Sequence, residues 1–272
     1  MVLNTEPLCR LTFVPAEGQG VLVLLAYIGE QHLLDKVRSE FSANAAAALK
    51  APLDCLSGFA EMIQSGILSA EDTAHFAQKI NDEAKGMTHL IESLMFLSKL
   101  DEQNVRFAVF DVARVAAEAM DKLRPLAAAR EVEMILLDSP CPIYGNRVLI
   151  HEMFVNLIQN AIQYTQAQGQ VKVAVSARNQ MAYAYVSDTG IGIASGDLGR
   201  VFERFYKGET KTKRRKQVAF NDLEDVENEA LGVGLGLSIV RSIVRHHKGT
   251  IELESAEGKG TRVYVKLPQR KE

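Results

Sequence analysis

Arg147-Val-Leu-Ile-His-Glu-Met-Phe-Val-Asn-Leu-Ile-Gln-Asn-Ala-Ile-Gln-Tyr-Thr165 reads as one amphipathic helix, with Val148, Phe154, Val155, Leu157, Ile158, Ala161 and Ile162 supplying its apolar side. Asn156 and Asn160 are four apart, so they stack on one face a turn from each other. Two neutral amide oxygens aimed the same way suit a magnesium ion whose charge is already balanced by phosphates. Asparagines also cap and solvate helices, so the pair takes its meaning from its surroundings.

Downstream, Tyr183–Val186 alternates as a strand and runs into Asp188-Thr189-Gly190-Ile191-Gly192. Phe202-Glu203-Arg204-Phe205-Tyr206 follows, then Gly232-Val233-Gly234-Leu235-Gly236-Leu237 opening a second helix, and last Gly258-Lys259-Gly260-Thr261 before a closing strand. In this order the segments resemble the N, G1, F, G2 and G3 boxes of the sensor histidine kinases, and the resemblance runs from residue 31 to residue 268. It implies an α+β chain: an antiparallel helical hairpin that forms a dimeric four-helix bundle, then an α/β sandwich that binds ATP with Mg2+.

With 272 residues, 47% of them hydrophobic and 24% charged, the chain has the composition of an ordinary globular protein of one or two domains. A net charge of −3 gives no reason to expect nucleic acid. Cys9, Cys55 and Cys141 are too few and too scattered for a metal cluster or disulfide framework, which favours a reducing, cytoplasmic setting. The longest apolar run, Val21–Ile28, is far short of the ~20 residues of a spanning helix, so no membrane contact is expected from this chain itself. No signal peptide is visible, and any sensor or anchor would lie outside the sequence.

Residues 1–30 hold two strand-like runs, 9–15 and 21–28, about a turn at Ala16–Gly20. They are similar to the last strands of a PAS sensor domain, or form a hairpin that packs on a partner. Residues 31–102 read as the helical hairpin. Its first helix carries Leu34, Val37, Phe41, Ala45 and Ala48, continues past a bend expected at Pro52, and ends near Ser65. Ser69, with Glu71 and Asp72, starts the second helix, which carries Phe76, Ile80, Met87, Ile91, Leu94 and Leu97 to about Leu100. Residues 103–272 form the ATP-binding domain, with strands at 106–110, 132–137, 171–177, 181–187, 249–255 and 261–267, helices at 112–130 and 234–247, and a short helix near 197–202. The family's ATP lid falls at 207–231, where a basic run (Lys211, Lys213, Arg214, Arg215, Lys216) precedes an acidic one (Asp222, Glu224, Asp225, Glu227, Glu229); self-pairing is expected over phosphate capture.

Residue by residue, the resemblance implies that Asp188 accepts the adenine amino group, that Gly190 and Gly192 let backbone approach the ring, and that Gly232, Gly234, Gly236 and Leu237 bring a helix N-terminus to the phosphates. Asn160 and Asn156 would hold magnesium, Thr261 would close the base pocket, and Tyr164 would flank the ribose or phosphates. Gln163 stands where the family has Lys or Arg, which weakens one phosphate contact. Asn156 stands where related ATPases carry a glutamate that activates water, so rapid hydrolysis is not expected, with Glu152 one turn earlier as the alternative base.

The first helix departs further. Family members read Phe-x-Ala-Asn-x-Ser-His-Glu-Leu-Arg-Thr-Pro-Leu, and this chain reads Phe41-Ser-Ala-Asn-Ala-Ala-Ala-Ala-Leu-Lys-Ala-Pro-Leu53. Ala47 thus occupies the phosphoacceptor position, Ala48 that of the activating carboxylate and Ala51 that of the hydroxyl used in dephosphorylation. A methyl group can neither attack phosphorus nor carry a proton. His32, His75, His89, His151, His246 and His247 read as solvated or structural rather than as a replacement. The expectation is an ATP-binding homodimer, or heterodimer with a related kinase, that signals by conformation or phosphorylates a partner in trans. A non-enzymatic adaptor that docks a response regulator or another kinase is the alternative, and an ATP-driven clamp is disfavoured by Asn156.

Overall fold

The structure, a computed structural model, describes residues 9–16, 20–27, 29–100, 106–208 and 234–269. The chain divides into two units, Met1–Leu53 and Asp54–Glu272. In the first, β1 (Cys9–Ala16) and β2 (Gly20–Tyr27) pair antiparallel from Cys9↔Tyr27 to Ala16↔Gly20, and most of helix α1 (Gly29–Gln64) follows. Residues 17–19 of the expected turn lie outside the described residues. Helix α1 runs continuously through Pro52.

The second unit opens with the end of α1 and with α2 (Ala70–Leu100), the second arm of the helical hairpin. Ser69 caps α2: its Oγ accepts from the Asp72 N–H at 3.0 Å and donates to Asp72 Oδ2 at 2.6 Å. Phe76, Leu90 and Leu97 are the buried side chains of α2, and Phe59 of α1 meets Phe76 with ring centroids 5.6 Å apart. Ile91 and Met95, one turn apart on α2, remain exposed with Met62 of α1. No helix among the described residues is long and apolar enough to cross a membrane.

The sandwich follows: β3 (Ala108–Asp111), α3 (Val112–Ala129), β4 (Glu133–Asp138), β5 (Pro142–Gly145), α4 (Arg147–Tyr164), β6 (Gln170–Arg178), β7 (Met181–Asp188), α5 (Gly236–His246), β8 (Thr250–Ser255) and β9 (Thr261–Pro268). Its main sheet has the order β4-β6-β7-β9-β8, parallel only between β4 and β6, while β3 pairs with β5 apart from it. Alternate residues explain the layering. Val171, Val173, Val175, Ala182, Ala184, Val186, Val263, Val265 and Leu267 are buried on one face, and Lys172, Tyr183, Tyr185, Tyr264 and Lys266 lie on the other. Helix α4 packs against α3, α5 and the sheet, burying Ile150, Met153, Phe154, Ile158 and Ile162 completely. Asn156 and Asn160 are half-buried polar positions between those enclosed side chains.

Two expectations are corrected. Residues 195–203 form a series of turns, not a short helix: Arg200 N–H donates to Asp197 O at 2.8 Å and Glu203 N–H to Arg200 O at 2.8 Å. Gly196 and Gly199 within one turn cost about 1 kcal/mol each in a helix, and the Asp197 side chain is occupied elsewhere. Pro142–Gly145, where no strand was expected, is a strand against β3 in the register Val109↔Tyr144.

Candidate functional site

Helix α4 delivers the asparagines because both its ends are fixed. Asn146 Oδ1 accepts from the Leu149 N–H at 2.9 Å as the N-cap, and its Nδ2 donates to Arg106 O at 2.9 Å. The Asn146 backbone N–H donates to Nε2 of buried His247 at 3.0 Å. That bond leaves the proton on His247 Nδ1, which donates to Ile243 O at 2.8 Å. Burial, the first cause, holds the His247 imidazole below its usual pKa, with the charge of His246 acting the same way. One neutral ring thus ties the start of α4 to the end of α5.

At the far end of α4, the loop after β7 folds onto Tyr164, which is 46% exposed. The Ile191 N–H donates to Tyr164 O at 3.1 Å, and a Cβ at Gly190 would fall on that same carbonyl. Gly192 (φ +68°) lies on the Ala256 carbonyl and Gly260 (φ +79°) on that of Asp188. These glycines therefore answer first to the protein's own backbone. Asp188 sits at their centre, its Oδ1 accepting from the Gly190 N–H at 2.8 Å and the Thr261 N–H at 3.2 Å. Burial raises the Asp188 carboxyl above the usual carboxylate range, and those two N–H groups oppose the rise. Oδ2 takes no bond from the described residues, which leaves it for an external donor.

Ser255 completes this clasp and carried no sequence signal. Its Oγ accepts from the Ile193 N–H at 2.9 Å and donates to Gly260 O at 2.9 Å. The Ser255 proton being engaged, Thr261 Oγ1 is the donor in their 3.0 Å contact.

The third side is the N-terminus of α5. Leu235, its N-cap, provides no side-chain hydrogen bond, so the first N–H groups have no cap from that residue. A Cβ at Gly236 would lie 3.1 Å from Asn156 Oδ1 and 3.2 Å from Asn160 Nδ2, so the helix end faces both asparagines. Phe205, a bulky residue at φ +64°, donates its N–H to Gly234 O at 2.9 Å, and a Cβ at Gly234 would lie 2.6 Å from Tyr206 O. Tyr206 donates to Asp197 Oδ1 at 2.6 Å, and the Arg200 guanidinium lies 4.3 Å over its ring. Gly232, with residues 209–231 of the segment 207–231 expected as the lid, lies outside the described residues. Leu237 is half-buried in the first turn of α5.

Asn156, Asn160, Tyr164, Asp188, Gly190, Gly192, Gly234, Gly236 and Thr261 thus gather where α4, the loop after β7, the β8–β9 turn and α5 meet. Among the described residues, the arrangement offers a carboxylate oxygen at one end and, at the other, the start of α5, uncapped by Leu235, beside two amides. In the first helix, Ala47 and Ala51 are exposed and Ala48 is half-buried. The Gln163 carbonyl accepts from Arg130 Nη1 at 3.0 Å.

Residues 145–271 match the family described as histidine kinase-, DNA gyrase B- and HSP90-like ATPases, and residues 37–103 match the His Kinase A (phospho-acceptor) domain. The sensor protein SrrB of Staphylococcus aureus (strain MRSA252) is 29% identical over 257 residues, covering 92% of this chain and 41% of SrrB. The chain thus spans about two fifths of the length of the curated relatives it matches. Among solved structures, histidine kinase ThkA in complex with the response regulator TrrA aligns with a TM-score of 0.66 at 17% identity, over 97% of this chain and 79% of that one. Acinetobacter baumannii histidine kinase AdeS aligns with a TM-score of 0.63 at 23% identity, over 81% and 96%. At these identities the likeness shows the fold.

Proposed function

We propose that this chain, a sensor histidine kinase by its HisKA and HATPase_c domains, is the ATP-binding core of a two-component signalling protein that lacks its own phosphoacceptor. The observation that carries the ATP reading is Asp188, whose Oδ1 is held by two backbone N–H groups while Oδ2 stays available for the adenine amino group. The N–H groups at the start of α5 would receive the phosphates, where the positive end of the helix stabilises them. Asn156 and Asn160 would hold Mg2+ there: neutral oxygens fit the ion once phosphates supply the charge, and the bound ion would neutralise the phosphate oxygens. An amide at position 156 cannot take a proton from water, so stored ATP is hydrolysed slowly.

The transfer half reads differently. Ala47, Ala48 and Ala51 occupy the positions of acceptor, base and phosphatase hydroxyl, so the protein would signal by conformation or phosphorylate a partner's histidine within a heterodimer. A homodimer is the other expected state, built on the exposed apolar strip of α2. ThkA is named in complex with a response regulator, which supports a receiver domain as a partner of this hairpin too. We place the protein on the cytoplasmic side of the cell.

Radiolabelled ATP tests the reading. Nucleotide should bind with Mg2+, and no label should stay on the protein. Absence of binding at ~1 mM ATP, a weak-affinity limit, would instead favour a non-enzymatic adaptor, a reading to which the three alanines also lend weight.

A further inference from the structure

We infer that Glu152 is a positioning residue that sets the amide orientation of Asn156 and thereby the part of nucleotide affinity that depends on a divalent cation; this rests on the ATP reading above. Both residues lie on α4, one turn apart. Asn156 Nδ2 donates to Glu152 O at 2.9 Å and to Glu152 Oε1 at 2.9 Å, which engages both of its protons. The nitrogen is therefore turned back along the helix. Oδ1 is turned toward α5, where the Cβ that Gly236 lacks would lie 3.1 Å away.

Reversing the amide would set Oδ1 against a carbonyl oxygen and a carboxylate, acceptor against acceptor, and would present N–H donors to the cation. A bond to an ionised carboxylate is roughly twice as strong as one to a neutral carbonyl, so the side chain is the stronger of the two restraints. Asn160 differs: no hydrogen bond from the described residues holds its amide. Asn156 is thus oriented before the ligand arrives, whereas Asn160 must be oriented by it.

The test is titration of trinitrophenyl-ATP into wild type, Glu152→Ala and Glu152→Gln, each with Mg2+ and with EDTA. Loss of a partner that orients a metal ligand costs 10-fold or more, so Glu152→Ala should weaken binding about tenfold in Mg2+ and less than about twofold in EDTA. Glu152→Gln keeps an acceptor oxygen and should bind within about threefold of wild type. Unchanged binding by Glu152→Ala in Mg2+, equal weakening in both media, or a Glu152→Gln variant as weak as Glu152→Ala would overturn the inference and leave the ATP reading standing. Wild type that binds equally with and without Mg2+ would overturn the inference alone, and wild type that fails to bind would overturn both.

Discussion

Gly236 and Gly260 both lie in the loops proposed to hold the nucleotide, yet substitution should damage them in opposite ways. At Gly260 a Cβ would land on the Asp188 carbonyl and φ is +79°, so Gly260→Ala should destabilise the fold by about 3 kcal/mol in denaturant unfolding. Gly236 is helical, and its Cβ would meet only the amides of Asn156 and Asn160. Gly236→Ala should leave the unfolding midpoint unchanged or slightly higher, since alanine favours the helix by up to ~1 kcal/mol, while ATP binding drops about tenfold or more by calorimetry. His247 gives a pH prediction. Its folded pKa is depressed, so its stabilisation is full above the unfolded value of about 6.5 and is lost as pH falls through and below it. Thermal unfolding should therefore come earlier as pH falls from 7.5 to 5.5, and His247→Gln should reduce that slope without abolishing it, because burial also depresses His151. The shared helix face of Asn156 and Asn160, and the strand-end place of Asp188 ahead of Gly190 and Gly192, were legible from spacing alone. Ser255 was not: a serine at a strand end looks like any solvated one until its three partners are placed around it.

Among the elements, those with strong periodicity were read within about two residues of their bounds, α4 and α2 above all. The short helix expected near 197–202 did not form because the Asp197 side chain is bonded by Tyr206 and Gly199 within it weakens the helical preference. Strand β5 was hidden because four residues beginning with proline carry no alternation to detect. The cap of α2 allows a direct check: Ser69→Ala should cost about 1 kcal/mol, seen as a lower denaturant midpoint with an unchanged m-value. The exposed pair on α2 allows another. If Ile91 and Met95 line a dimer interface, Ile91→Glu with Met95→Glu should give a monomer by sedimentation velocity while ATP affinity holds within about twofold, the site lying on other elements.

For the molecule as a whole, the proposed nucleotide-binding half is joined to a helical half in which alanines stand at the positions expected to react. Ala47→His with Ala48→Glu should restore acid-labile labelling from ATP if the two halves can meet, because the pair returns a nucleophile and its base together. A folded double variant that binds ATP and stays unlabelled would place a second defect in the ATPase half. The architecture was legible because its boxes come in a fixed order. What stayed hidden was how the glycines are used, since sequence cannot distinguish backbone stacked on backbone from backbone waiting for a ligand.

The bond from Phe205 to the Gly234 carbonyl sets exit and re-entry of the intervening chain at one point on the sandwich. Between two points so tied, doubling the length of a flexible connection costs only about 0.6 kcal/mol. A foreign peptide spliced between those tied points should therefore leave the scaffold's melting curve where it was.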